Sequence, residues 1–148
     1  MEDLNDNSIN HVFFEVIRLH YKRTFGLLES YGVYPGQPPL LFALYSKDGQ
    51  SQRELAEKIR LKPATVTIML KRMEKSNLIE KKTDKDDHRK SRIYLTEKGV
   101  EAYKNTKTVI DQLEEECLKN FTKEEKLLLR RLLLQIRDNL LEECKENN

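Results

Sequence analysis

Pro63 separates two short segments with helical patterns and fixes how they connect. Ser51-Gln52-Arg53-Glu54 is a capping box, in which a serine and a glutamate three residues later satisfy the first free amides of a helix. This helix must end near Ile59, because proline cannot continue a helix but is well suited to the first turn of the next one. The sequence therefore predicts two helices, one from Ser51 through Ile59 and one from Pro63 to about Lys75, joined by a tight turn at Leu61-Lys62.

A charged run follows and separates two segments with strand character. Leu78 to Thr83 alternates in part, and Arg92 to Leu95 places Ile93 and Leu95 on one face. The preceding helix ends at Ser76-Asn77, since asparagine tolerates a left-handed backbone. A hairpin with a charged tip is predicted, so the fold is a winged helix-turn-helix.

The remaining chain is predicted to be helical. Apolar residues recur at spacings of three and four over residues 8–31, and "YGVYPGQPP" (31–39) then breaks the helix before a short apolar one to about Tyr45. Thr96 begins a helix to about Lys119, and the capping box at Thr122 begins a Leu-rich helix to about Lys145. We expect one mainly α domain with a small β-hairpin wing, in which residues 36–95 form the winged part and 8–31 and 96–146 form long terminal helices.

Net positive charge is concentrated in the winged part. Residues 51–92 contain 13 Lys/Arg and 7 Asp/Glu, a net charge of +6, whereas the whole chain carries +2. A basic centre between acidic flanks indicates a polyanionic partner. The apolar runs are too short to span a membrane, and the polar start, MEDLNDNS, is not a signal peptide, so we expect a cytoplasmic protein without membrane contact.

The 63–75 helix has two different faces. One side is apolar: Val66, Met69, Leu70 and Met73. The other presents Ala64, Ile68, Lys71 and Lys75, flanked by Thr65, Thr67 and Arg72. An ordinary surface helix with scattered charges is one interpretation. A surface that meets thymine methyls, phosphates and base edges is the other, and it explains the exposed isoleucine.

Two stretches resemble the MarR family (multiple-antibiotic-resistance regulators) of winged-helix transcription factors: "SQRELAEKIRLKPATVTIMLKRMEKSNLIEKK" and "DKDDHRKSRIYLTEKG". The resemblance covers nearly the whole chain. It implies a dimeric regulator, most simply a repressor that binds a pseudo-palindromic operator and is released by a small ligand. It also implies that Arg89 enters the minor groove and that Asp87 orients it.

The expected DNA contacts combine the resemblance with the exposed helix face. They are Ser51, Gln52, Lys62, Pro63, Ala64, Thr65, Thr67, Ile68, Lys71, Arg72, Lys75, Arg89, Lys90 and Arg92. Lys62 departs from the family, which often has a Ser or Thr helix cap there. Ala64 and Ile68 stand where the family commonly has polar or basic residues, and this bears on the operator sequence.

The resemblance further implies that the terminal helices intertwine as a homodimer, and that a small aromatic ligand binds in a cleft next to the DNA-binding part. No motif marks this cleft. His11, His20, Phe42 and Tyr45 are candidate ligand contacts, with ordinary packing as the simpler interpretation. The first helix has no cysteine, which argues against the peroxide sensing of some relatives.

The sequence does not predict an enzyme. It lacks a Gly-rich phosphate loop, a nucleophile elbow and metal-ligand spacing, so no metal or cofactor is expected. Cys117 and Cys144 are expected to be reduced thiols. The alternative to a DNA-binding protein is a winged-helix module that binds another protein, and such a module should lack a basic, threonine-bearing helix face.

Overall fold

The computed structural model describes residues 8–146, and within them it contains six helices and one two-stranded hairpin. In chain order these are α1 (Ile9–Glu29), α2 (Gln37–Ser46), α3 (Gln52–Ile59), α4 (Pro63–Lys75), β1 (Ile79–Thr83), β2 (Ser91–Leu95), α5 (Glu97–Cys117) and α6 (Lys123–Glu146). The predicted fold class is confirmed. The chain forms two compact units, one ending at Leu113 and one beginning at Glu114.

Residues 1–7, which form most of the polar start that predicts no signal peptide, lie outside the described residues. Among the helices that the structure describes, none is both long and apolar enough to cross a membrane.

Local side-chain chemistry sets the helix boundaries. In the first predicted capping box, the Glu54 amide donates to Ser51 Oγ (3.2 Å) and the Ser51 amide donates to Glu54 Oε2 (2.7 Å). The second is present as well, with reciprocal bonds of 3.1 and 2.8 Å between Thr122 and Glu125. Asn77 adopts a left-handed backbone (φ 57°) after α4. These three predictions are confirmed.

The core of the first unit is apolar and draws on every element from the end of α1 to α5. Its fully buried side chains include Leu28, Leu40, Leu41, Leu44, Leu55, Val66, Leu70, Met73 and Ile93. The hairpin is antiparallel, with Ile79 opposite Leu95. A β-bridge between Gln50 and Ile93 joins the hairpin to the segment before α3. The winged part therefore shares one core, which holds the hairpin against the helices.

Gly99, in the first turn of α5, lies where the backbone of the wing comes very close. A Cβ atom at this position would lie 2.0 Å from the backbone carbonyl oxygen of Leu78, at the start of the hairpin. That distance is far below van der Waals contact, and the obstructing atom belongs to the backbone. The first turn of α5 can therefore approach the base of the wing only because residue 99 has no side chain.

α6 exposes an extensive apolar surface. Between Lys123 and Lys145 no residue is buried. Its most exposed apolar side chains are Leu127, Leu128, Leu132, Leu133, Ile136, Leu140 and Leu141. α1 has a similar surface, which includes Ile9, Val12, Phe14, Val16, Ile17 and Leu19. Exposed apolar surfaces of this extent usually mark a site of interaction.

Candidate DNA-binding interface

The structure orients α4 as the sequence predicts. Val66, Leu70 and Met73 are buried. The opposite side is exposed and carries Lys62, Pro63, Ala64, Thr65, Ile68, Lys71, Arg72 and Lys75. Ile68 has 54% of its surface accessible. The predicted contact residues of this helix, apart from the half-buried Thr67, therefore form one continuous basic and apolar face.

Lys62 begins α4 without a side-chain hydrogen bond to the helix. This agrees with the loss of a cap inferred from the sequence. Its backbone carbonyl accepts hydrogen bonds from the amides of Thr65 (3.0 Å) and Val66 (3.1 Å), which fixes the start of the helix. The Lys62 side chain is exposed at the start of this helix, and its contact with a phosphate stays a prediction.

Gln52 and Thr67 are bonded to each other. The Gln52 side-chain amide donates to Thr67 Oγ1, which joins α3 to α4. The Thr67 hydroxyl donates in turn to the backbone carbonyl of Pro63 (2.9 Å). A threonine hydroxyl has a single hydrogen to donate, so Thr67 offers a partner its methyl group and a lone pair. The Ser51 hydroxyl differs, because in the capping box its oxygen accepts the Glu54 amide.

The tip of the wing is an ordered turn. Asp84 Oδ1 accepts hydrogen bonds from the amides of Asp86 (2.8 Å) and Asp87 (3.1 Å). The backbone closes the tip through bonds from Asp84 to Lys90 (2.8 Å) and from Lys90 to Asp87 (2.9 Å). A carboxylate that accepts bonds from successive amides is a recurrent way to fix a turn. The acidic residues of the run therefore give the wing its shape.

Arg89 projects from this turn into solvent, with 93% of its side chain accessible. Asp87 Oδ1 accepts a hydrogen bond from the Arg89 backbone amide (3.1 Å) and a longer one from Arg89 Nε (3.4 Å). The bond from the Arg89 amide is the main reason that the pKa of Asp87 lies below its ordinary value. Lys90, 3.5 Å from the same carboxylate, is also exposed. The Asp87 carboxylate therefore contacts both the backbone and the side chain of Arg89, and its role in orienting Arg89 toward DNA stays a prediction.

Arg92 lies in a different environment from the other candidate contacts. Its Nη1 lies 2.9 Å from Glu54 Oε2, and its Nε bonds to Asp84 Oδ2, so both edges of the guanidinium are occupied within the chain. The hydrogen bond from Arg92, together with those from the amides of Asp86 and Asp87, lowers the pKa of Asp84 to about 2. Strand alternation predicts that the side chain of Arg92 lies on the other face of the hairpin from the buried Ile93. No sequence signal indicated that Arg92 has a partner on α3. In this structure Arg92 connects the wing to α3, and a DNA contact by Arg92 stays a prediction.

The four candidate ligand contacts do not form one site. Phe42 and Tyr45 both pack on Tyr103, with ring centroids 5.0 and 3.7 Å away. His11 and His20 line separate surface depressions along α1. The rings of Phe42 and Tyr45 therefore pack on an aromatic residue of the chain itself, and a ligand contact by any of the four residues stays a prediction.

A different cavity lies between α1, the segment before α2 and the end of α4. Its volume is about 640 Å³. It is lined by Tyr21, Phe25, Tyr34, Pro35, Gln37, Arg72, Lys75 and Ser76. Tyr21 and Phe25 lie one helical turn apart on α1 and form one wall, and the end of α4 forms the other. Two α4 cations thus border an aromatic cavity.

Among residues 8–146, no group of three or more metal-ligating side chains comes together. Cys117 and Cys144 are exposed free thiols.

A helix-turn-helix packed on the core, an exposed basic face on its second helix and a hairpin that projects an arginine define a winged-helix DNA-binding protein. The MarR family model matches residues 34–91. The chain is 30% identical to two Bacillus subtilis (strain 168) proteins named as uncharacterized HTH-type transcriptional regulators. For YdgJ the match covers 74% of this chain and 66% of the relative, and for YybA 71% and 70%. The HTH-type transcriptional repressor MdtR of the same organism is 35% identical over 49% of this chain and 46% of its own length.

Solved structures show the same fold. The S. aureus MepR–DNA complex has a TM-score of 0.78 at 22% identity, covering 92% of this chain and 99% of that chain. The regulator SlyA has a TM-score of 0.81 at 22% identity, covering 96% and 100%. PcaV from Streptomyces coelicolor, in complex with its natural ligand, has a TM-score of 0.77 at 21% identity, covering 93% and 98%. The chain belongs to the MarR family of transcriptional regulators and is not an enzyme.

Proposed function

We propose that the protein is a homodimeric repressor that binds a pseudo-palindromic operator. α4 enters the major groove and Arg89 of the wing enters the adjacent minor groove. The observation that carries this proposal is the pairing of an exposed basic face on α4 with a wing arginine that is 93% accessible. The similarity to the repressor MdtR and to DNA-bound MepR supports the same mechanism.

The proposed DNA contacts of α4 are of two chemical kinds, contacts to base edges and contacts to phosphates. Thr65, Ile68 and Arg72 are exposed on α4 and suit base edges, with Ile68 against a thymine methyl. Thr67 can add only its methyl and a lone pair, because its hydroxyl hydrogen is donated to Pro63. Lys62, Lys71 and Lys75 supply positive charge for phosphates, which fix the register of the helix without reading sequence.

The dimer is proposed from the apolar surfaces of α1 and α6. Leu133, Ile136 and Leu140 recur at spacings of three and four on α6 and are 47%, 38% and 57% accessible in the single chain. This is the pattern of a helix seam that packs on another helix. A two-fold dimer would bind two half-sites about one helical turn, roughly 10 bp, apart.

A ligand that releases DNA would bind the cavity bordered by Tyr21, Phe25 and Tyr34. Its aromatic walls and the neighbouring Arg72 and Lys75 suit an aromatic anion. Because these two cations also belong to the proposed DNA-binding face, a bound anion would compete with DNA for them. The PcaV structure with its natural ligand supports ligand control in this fold.

The central experiment is selection of bound sequences from random DNA duplexes, followed by titration of the selected duplex. We expect enrichment of a pseudo-palindrome and loss of affinity at rising salt concentration. Transcription in vitro from a promoter that overlaps the selected site should then decrease when the protein is added. Failure to enrich any duplex would instead favour the winged-helix module that binds protein.

A further inference from the structure

A continuous series of polar contacts connects the start of α3 to the tip of the wing. Glu54 accepts a hydrogen bond from the Ser51 amide at the N-terminus of α3 (2.7 Å). The same oxygen, Oε2, accepts from Arg92 Nη1 (2.9 Å). Arg92 Nε donates to Asp84 Oδ2, and the other oxygen of Asp84 holds the amides of the tip turn. We call Glu54, Arg92 and Asp84 the wing relay.

We propose that Arg92 is a positioning residue for DNA recognition: through the wing relay it holds the wing tip at a fixed place relative to α3 and α4. This inference rests on the proposed role of Arg89 in the minor groove. A tip that is already ordered loses less conformational entropy when it binds, so the relay would raise affinity without touching DNA.

The chemistry of the relay requires arginine. A guanidinium presents donors on two edges in a rigid plane, so it can bridge two carboxylates, whereas an ammonium group is a compact point charge. The relay is also partly shielded from solvent, since the side chains of Arg92 and Asp84 are 32% and 12% accessible. Shielding reduces the competition from water that weakens exposed ion pairs.

The same contacts argue against a phosphate contact by Arg92. Two carboxylates surround the guanidinium, and each would be left without this partner if the side chain turned toward DNA. Arg89, in contrast, is mostly exposed and has a single longer side-chain bond to Asp87. Arg89 can therefore reach DNA, whereas Arg92 stays bound to its two carboxylates and holds the wing tip that carries Arg89.

A double-mutant cycle on the selected operator tests this inference. Arg89→Ala should weaken binding about tenfold, as expected for the loss of a good contact to DNA. Arg92→Gln should weaken it about two- to tenfold, the cost of ordering the tip on binding. If Arg92 acts through Arg89, the double variant should bind no more weakly than Arg89→Ala alone. Arg92→Lys should behave like Arg92→Gln, because lysine cannot bridge both carboxylates.

Asp84→Asn provides a second route to the same disruption. It keeps an oxygen for the tip amides and removes the charge that pairs with Arg92, and its effect should likewise disappear in the Arg89→Ala background. Arg53→Gln is the matched control, since Arg53 is also an arginine paired with a glutamate, Glu57, but has no bond to the wing. Its effect should simply multiply with that of Arg89→Ala. Circular dichroism should show every variant to be folded.

The outcomes distinguish an error in the proposed role of Arg89 from an error in the proposed role of Arg92. If Arg89→Ala leaves affinity unchanged, the proposed minor-groove contact is wrong. If Arg89→Ala weakens binding but the Arg92→Gln effect multiplies with it, and Arg92→Lys restores affinity, then Arg92 contacts phosphate directly and the wing relay has no positioning role.

Discussion

Replacement of Leu140 by glutamate should separate the proposed dimer into monomers. Leu140 is 57% accessible in the single chain, and burying the rest of such a side chain contributes about 1–1.5 kcal/mol. Two-fold symmetry doubles this loss, and each introduced carboxylate adds a desolvation cost of about several kcal/mol. The total is about 5 kcal/mol or more, which weakens the dimer at least about a thousandfold.

Sedimentation velocity at micromolar concentration measures this change. The unmodified protein should sediment at twice 17.5 kDa and Leu140→Glu at 17.5 kDa. The chain itself should stay folded, because glutamate favours helices as leucine does and the site is already half exposed. Gln135→Glu, which adds the same charge at an exposed polar position of α6, should remain a dimer. A Leu140→Glu protein that still sediments as a dimer would refute the proposed interface.

Three further predictions concern the DNA-binding part. Lys71→Ala should weaken all duplexes alike and reduce the slope of log affinity against log salt concentration by about 1, as measured by fluorescence anisotropy; a changed preference at one base pair would contradict its phosphate role. Asp87→Ala should weaken operator binding, although removal of a negative charge near DNA alone would strengthen it. Tighter binding would show that Asp87 does not orient Arg89. The pKa of Asp84, about 2 with Arg92 in place, should rise toward its ordinary value of about 3.9 in Arg92→Gln, as followed by NMR. Because the folded-state pKa is depressed, the stabilisation is present above about pH 4 and is lost as pH falls toward 2; an unchanged pKa would contradict the ion pair.

The exposed face of α4 was predictable because its cause is local. A helix repeats every 3.6 residues, so the positions of Val66, Leu70 and Met73 determine which side is buried and leave Ile68 and Lys71 outside. The wing was predictable for a similar reason, since Ile93 and Leu95 alternate with polar residues in a strand. The resemblance to the MarR family then supplied the expected roles of Asp87 and Arg89.

The partners of Arg92 and the candidate ligand cavity were not predictable in this way. Glu54 lies 38 residues before Arg92, and their contact exists only because the bridge between Gln50 and Ile93 brings the second strand of the wing beside the start of α3. The cavity likewise requires Tyr21 of α1 to lie near Arg72 of α4. An aromatic residue such as Phe42 or Tyr45 has the same sequence pattern whether it lines a cavity or packs in the core, so the sequence could not distinguish the two.

The sequence by itself determined where the helices begin, which face of α4 is exposed and where the charged hairpin tip lies, because capping, periodicity and strand alternation act between residues close in the chain. Only the tertiary structure decided that Arg92 supports the wing, that Thr67 bonds to Gln52, and that Arg72 and Lys75 border an aromatic cavity. These relations depend on side chains from separate elements meeting in space, and that meeting is set by how the shared core packs.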